Sequence, residues 1–238
     1  MNGVDRYSYV DINTVNESTP VNTTINRKRL IVKIENIIKR MIDIIGGLVG
    51  VIALIPLTII IYIARKILKE DDGPIFYDQL RIGKDGKVFK MYKYRSMVIG
   101  ADEKLEKYLQ ENEEARKEYK EYKKLKNDPR VTKVGNFIRK TSLDEFPQFI
   151  NVLKGEMSLV GPRPYLPREK DDMGKYYTYI IQSRPGITGY WQIAGRSDVT
   201  FEDRLKMDYD YIQNNSLFLD AKLLIKTILN VIKKEGAL

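Results

Sequence analysis

Histidine and cysteine are both missing from this chain of 238 residues. Without imidazole there is no ordinary neutral-pH general base. Without thiols there is no thiolate nucleophile, no Cys/His zinc site and no disulfide. Any catalysis has to be built from carboxylates, hydroxyls, lysine, arginine or an oxygen-bound metal ion. Acid is in deficit as well: 41 Lys and Arg against 32 Asp and Glu leave a net charge of +9, which points to an anionic partner such as nucleic acid, anionic lipid or a nucleotide. Hard cations such as Mg²⁺ pair with carboxylate and phosphate oxygens, so phosphoryl-type chemistry suits this residue set. The length allows one modest domain with an appendage.

What is present is concentrated in one stretch. Arg139-Lys140-Thr141-Ser142-Leu143-Asp144-Glu145-Phe146-Pro147 runs on to Gly155-Glu156-Met157-Ser158-Leu159-Val160-Gly161-Pro162-Arg163-Pro164. Carboxylates that act on phosphates need cations beside them, because the two anions repel unless Arg, Lys or a divalent ion neutralises the approach. Both signs are supplied here within a few residues. The same residues read as a helix start: Ser142-x-x-Glu145 is a capping box ahead of an apolar stripe of Phe146, Phe149, Ile150 and Leu153. The two readings are compatible. With Ser142 as the N-cap, Asp144 and Glu145 fall in the first turn, where free N–H groups and the helix dipole favour carboxylates and phosphates. Pro147 fits that register poorly and predicts a start one or two residues later.

Met41 to Ala64 carries a single charge, Asp43, and exceeds the roughly 20 residues that cross a bilayer core. Lys39 and Arg40 precede it while Arg65, Lys66 and Lys69 follow, and the positive-inside tendency puts both ends on the cytoplasmic side. Pro56 lies deep in the run and removes a helix donor. A helix that enters, kinks at Pro56 and returns satisfies both facts; a tilted through-going helix with a tolerated proline is the alternative. The expected layout is a polar, flexible tail over 1–28, an interfacial lead-in and membrane helix over 29–70, and a cytoplasmic domain over 71–238. At the far end Leu219, Leu223, Leu224, Ile225, Ile228, Leu229 and Ile232 recur at helical spacing opposite Lys222, Lys226, Asn230 and Lys233. Periodicity alone leaves this helix either on a membrane surface or against the core.

Between these ends, Ile75 to Tyr77 and Val88 to Met97 have strand composition around the turn Gly83-Lys84-Asp85-Gly86-Lys87, which predicts a hairpin. Lys93 and Arg95 project from one face of its second strand. Residues 101–128 form an insert dense in Glu and Lys with a thin apolar stripe, read as a solvated helix or helix pair. Downstream, Arg184-Pro185-Gly186-Ile187-Thr188-Gly189-Tyr190-Trp191-Gln192 leads to Gly195-Arg196-Ser197-Asp198. Glycines there allow close backbone approach to a ligand, and Arg196 offers a fork that matches a phosphate. Asp208 follows in a third acidic cluster; it reads either as a residue facing a metal ion or as an exposed helix charge. The fold class is therefore α+β: a membrane helix, then a compact, mostly helical catalytic domain with a small hairpin or sheet and amphipathic interfacial helices.

Taken in order, Lys39-Arg40-Met41-Ile42-Asp43, Pro56, Phe89-Lys90-Met91-Tyr92-Lys93-Tyr94-Arg95-Ser96-Met97, Asn127-Asp128-Pro129-Arg130, Thr141-Ser142-Leu143-Asp144-Glu145, Gly161-Pro162-Arg163-Pro164, Arg184-Pro185-Gly186-Ile187-Thr188-Gly189 and Gly195-Arg196 resemble the bacterial sugar transferase family, the monotopic phosphoglycosyl transferases. The resemblance runs from about Arg29 to the end. It implies transfer of a sugar 1-phosphate from a UDP-sugar to undecaprenyl phosphate, with UMP released, at the cytoplasmic face of the bacterial inner membrane. That is the first membrane step of exopolysaccharide, capsule, O-antigen or glycoconjugate synthesis. It further implies Mg²⁺ as cofactor, with Mn²⁺ as a substitute, and an aspartyl sugar-phosphate intermediate. Carried onto this chain, Asp144 is the nucleophile and Glu145 its dyad partner; Lys93, Arg139, Arg163 and Arg196 hold phosphates; Asp144 and Asp208 serve the metal; Pro56 marks the break of a re-entrant helix. Where the family often has Ser before that proline, this chain has Ile55. The sugar expected is a hexose, glucose or galactose. Nucleic acid is not an expected partner, and a homodimer is left open. Two rival classes remain from the residues themselves: a metal-dependent phosphohydrolase of lipid diphosphates, and a basic membrane-anchored scaffold or nucleic-acid-binding protein.

Overall fold

The structure, a computed structural model, describes residues 20–122, 125–194 and 199–233. A long helix α1 (Pro20–Ile67) is followed by a hairpin of β1 (Phe76–Ile82) and β2 (Val88–Tyr94). The insert forms α2 (Ala101–Glu111) and α3 (Glu113–Tyr122). After it come α4 (Lys133–Lys140), α5 (Gln148–Lys154), β3 (Ser158–Val160), α6 (Tyr177–Ile180), β4 (Gly186–Thr188), α7 (Tyr190–Ala194), α8 (Phe201–Asn214) and α9 (Leu217–Lys233). The expected α+β class holds. Beside the antiparallel β1–β2 pair there is a second, parallel pair, β3–β4, which the sequence reading did not anticipate.

One stripe of α1 faces the rest of the protein. Asp43, Gly47, Gly50, Leu54, Ile61 and Arg65 are buried, at steps of three, four and seven residues that a 3.6-residue repeat places on one side. Every other side is apolar and exposed, as at Ile45, Val49, Ile52, Ile55, Ile60 and Ile63. From Leu30 to Ile67 this is the one helix among the described residues that is long and apolar enough to cross a membrane, and 22% of its most apolar window is buried. A core helix of a water-soluble domain would be covered on most of its surface. Close packing on the buried stripe depends on small residues: a Cβ on Gly50 would lie 2.1 Å from the Phe149 ring, so only glycine lets α5 approach. The expected break at Pro56 is not seen as an interruption, because α1 is helical on both sides of it. Next to the proline, the carbonyl of Leu54 accepts from Thr58 Oγ1 at 2.7 Å and from Tyr94 OH at 3.3 Å, and the two hydroxyls lie 2.6 Å apart. A hydroxyl two residues after the proline thus bonds the Leu54 carbonyl beside it.

Polar contacts lock the start of that stripe to the domain. Lys39 pairs with Asp220 of α9 and donates to Val160 O at 3.0 Å. Arg40 donates to the carbonyls of Val152 and Leu153 at the end of α5. Asp43 Oδ1 accepts from Ser158 Oγ and Leu159 N at 2.9 and 2.8 Å. At the far end of the run, Arg65 bonds the carbonyl of Asp71. One helical turn therefore fixes both α5, which follows the carboxylate pair, and β3, which leads into Gly161-Pro162-Arg163-Pro164.

Behind these elements the core is divided into small clusters. Leu54, Ile61, Tyr94, Val134 and Ile138 join α1 to the hairpin and α4. Phe89, Met91, Val152 and Met157 join the hairpin to α5. Val160, Tyr211, Ile212 and Leu223 hold β3 against α8 and α9. The insert has its own cluster of Leu105, Ala115 and Leu125. It returns through Asp128 and Arg130, a buried bidentate pair that closes its base. In α9 Leu223 packs inward, as the core-packing reading expects, while Phe218, Ile225, Ile228 and Leu229 stay exposed.

Candidate active site

The carboxylate pair sits on a single 3₁₀ turn, Leu143–Glu145, between α4 and α5. The expected capping box is corrected here. Ser142 has φ 57, a left-handed conformation unusual for a residue with a side chain, and does not cap the turn through its hydroxyl. Glu145 turns instead to Lys93. The helix proper begins at Gln148, directly after Pro147, so the start is delayed in the direction the proline implied but by five residues from Leu143 rather than by one or two. Gly155, with φ 79, ends α5 as a left-handed C-cap.

Lys93 on β2 serves both acids: its ammonium lies 2.9 Å from Glu145 Oε1 and 4.0 Å from Asp144 Oδ2. Burial pushes the Asp144 carboxyl up to about 6; Lys93 pulls it down, Glu145 pushes it further up and Arg139 pulls it down. At neutral pH Asp144 is thus mostly ionised while still short of solvent, the state a carboxylate nucleophile needs. Arg139 comes from the last turn of α4, and its buried Nη1 has no hydrogen-bond partner among the described residues. Lys93, remote in sequence, joins Arg139, Asp144 and Glu145 in one constellation.

A second cluster surrounds Arg163. Its guanidinium lies 5.5 Å from the Tyr165 ring centre and 5.6 Å from that of Trp191, and 3.7 Å from Glu169 Oε1. Arg204 covers Trp191 at 5.4 Å. Asp208 is fully buried below: its Oδ2 accepts from Arg163 N at 3.0 Å and from Tyr165 OH at 2.8 Å. Burial pushes its carboxyl up to about 7, against the pull of those two donors and of Arg163 and Arg204. These two bonds place Asp208 beneath the Arg163 loop. Among the described residues no group of three or more acidic side chains is gathered for a cation. The neighbouring Asp144 and Glu145 still fit Mg²⁺, which is commonly held by one or two carboxylates with substrate phosphates and water completing the set.

Arg196 lies outside the described residues. Three participants gave no distinguishing sign in the sequence: Arg81 on β1, Glu169 and Arg204. Each reads as an ordinary surface charge; Arg81 and Arg204 come to Arg163 by folding across long separations, and Glu169 by the chain turning back within six residues. Only the strand alternation places Arg81 on one face with Tyr77 and Gln79, and that signal does not separate a site residue from a solvated one.

The bacterial sugar transferase family model matches residues 34–234. A UDP-galactose-lipid carrier transferase of Erwinia amylovora is 46% identical over 84% of this chain and 41% of its own length. An undecaprenyl-phosphate galactose phosphotransferase of Salmonella typhimurium is 44% identical over 84% of the chain and 41% of its own. The exopolysaccharide production protein ExoY of Rhizobium meliloti is 42% identical over 84% of the chain and 87% of its own. The chain thus spans about two fifths of the length of the first two of these relatives. With the family model covering residues 34–234, this chain belongs to the bacterial sugar transferase family.

Proposed function

We propose that this protein transfers a hexose 1-phosphate from a UDP-sugar to undecaprenyl phosphate through an aspartyl intermediate. The observation that carries this reading is the partly buried Asp144, flanked by Glu145, with Lys93 and the open donor of Arg139 beside it. An Asp144 oxygen attacks the sugar-bearing phosphorus, the bond from that phosphorus to the bridging oxygen breaks, and UMP departs with the electron pair. An oxygen of the lipid phosphate then attacks the same phosphorus, giving the lipid diphosphate sugar and restoring the carboxylate. Neither step needs a base at Asp144, which fits a chain without histidine. Lys93 and Arg139 neutralise the charge that builds on the attacked phosphate, and Glu145 keeps Lys93 in place. Arg163, held through its backbone by Asp208, faces the rest of the diphosphate, and Arg196 is proposed to join it. Mg²⁺, held by Asp144 and Glu145 with diphosphate oxygens, would supply further neutralisation of the donor.

Galactose is the sugar in the names of the Erwinia amylovora and Salmonella typhimurium relatives, and a hexose is proposed on that support. Membrane topology is inferred from α1. Its buried stripe runs from Asp43 to Arg65, roughly 33 Å at 1.5 Å per residue, and both ends contact the same body, Asp43 through Leu159 and Ile61 through Tyr94, Val134 and Ile138. A helix crossing the bilayer would drag that body into lipid, whereas a shallow, same-side helix leaves it in water. The cations Lys39, Arg40, Arg65 and Lys66 at the two ends favour the cytoplasmic face.

The deciding experiment measures UMP release from UDP-galactose and UDP-glucose with and without polyprenyl phosphate. Release that requires the lipid supports transfer, and free phosphate from a lipid diphosphate would instead mark a hydrolase. Asp144→Asn should abolish release and the labelled carboxyl adduct; turnover retained by that variant would remove the nucleophile.

A further inference from the structure

Arg81 is a buried charge that the reaction above leaves without a task. It is 9% exposed, near the end of β1. One guanidinium nitrogen donates to Pro164 O at 3.0 Å and another to Gln79 Oε1, while Nε is buried with no acceptor among the described residues. Burial and the adjacent Arg163 lower its pKa to about 10, and Glu169 and Glu145 act against that. A tether for the Pro164 carbonyl does not need a cation, and burying one beside another cation opposes folding. Such an arrangement persists where an anion is expected to complete it.

Its position says which anion. Strand register sets Arg81 opposite Phe89 and Tyr77 opposite Lys93, so Arg81 and Lys93 share one face of the hairpin. They stand four residue steps apart, roughly 13 Å along the strand before their long side chains converge. The Tyr94 end of the hairpin, beside Lys93, rests on α1 through Leu54 and Ile61. The Arg81 end rests on Tyr165 and Met173 through Ile82, away from that helix. On the proposed topology, with α1 in the membrane, a lipid phosphate arrives along α1 and a soluble nucleotide comes from the opposite side.

We propose that Arg81, together with Arg163, binds the nucleotide-side phosphate of the donor, the group that leaves, while Lys93 and Arg139 serve the phosphate attacked by Asp144. This rests on the transfer reading and adds to it a residue and a division of labour between two phosphates. The ligand chemistry is a phosphate monoanion or dianion on a nucleoside.

The test titrates the full chain in nanodiscs with UDP and with uridine, for wild type and Arg81→Gln. The expected result is a loss of at least tenfold in UDP affinity with uridine affinity unchanged, and an unchanged half-saturation for polyprenyl phosphate. Unchanged UDP affinity, an equal loss for uridine, or an effect confined to the lipid phosphate would each overturn the proposal. If Arg81→Gln does not fold, Arg81→Lys keeps the charge without the guanidinium fork, and the same UDP-specific loss is expected of it, with the same overturning results. Wild type that binds UDP but releases no UMP removes the transfer reading alone. Wild type that transfers sugar phosphate while the variant binds UDP normally removes Arg81 alone.

Discussion

Lys93 donates to Glu145 Oε1 at 2.9 Å, so a strand residue holds a carboxylate carried by the turn between α4 and α5. Of the groups acting on Asp144, Lys93 is the strongest one that lowers its pKa, and Glu145 raises it. Lys93→Met should therefore move the acidic limb of the rate profile to higher pH and cost roughly 100-fold in rate, the scale of losing one charge-stabilising donor. Glu145→Gln should move the limb to lower pH. Opposite displacements in UMP release against pH are the check; displacements of the same sign would break the account.

For the wild type the sign follows from which form attacks. Asp144 must be ionised, and burial places its carboxyl at about 6. Turnover should hold above that value and drop about tenfold for each pH unit below it. A rate that stays flat well below pH 6 would mean that Mg²⁺ at the carboxylate pair lowers the Asp144 pKa or that another group carries the attack, and only a turnover-competent Asp144→Asn points to the second.

Asp208 makes a stability prediction. Its folded carboxyl is raised by burial to about 7, so the folded state holds a proton that the unfolded chain has already released. Stability is then lost as pH rises from about 4 to 7 and changes little from this group above it. Asp208→Asn cannot titrate, and the difference in melting temperature between wild type and variant should slope through that window. A difference independent of pH would show that Asp208 does not titrate there.

Asp43→Ala leaves the Ser158 hydroxyl and Leu159 N–H buried without their acceptor, at a cost of about 1–3 kcal/mol. Tyr94→Phe removes one hydroxyl from the Thr58 and Leu54 contact, at about 1 kcal/mol. Thermal unfolding in nanodiscs measures both. A neutral Asp43 variant would mean that α1 is not held by this contact.

Much of the fold could be read locally. The hairpin follows from alternating strand residues around Asp85-Gly86, which takes the left-handed turn, and the insert from its charge density. The β3–β4 pair was not legible because each strand is three residues long and pairs across a long loop. Ser142 misled for a physical reason: a capping box needs an extended N-cap, and the backbone there is left-handed so that Glu145 reaches Lys93.

By itself the sequence determined the chemistry available: carboxylates and cations without histidine or thiol, an adjacent Asp144 and Glu145, and a continuous apolar segment. These depend on residue type and spacing along the chain. Tertiary structure alone decided that Arg81 and Arg204 join Arg163, that Asp208 lies beneath that loop, and that α1 is bound at both ends to one body. Those relations depend on burial and on contacts between residues far apart in the chain, which no local pattern encodes.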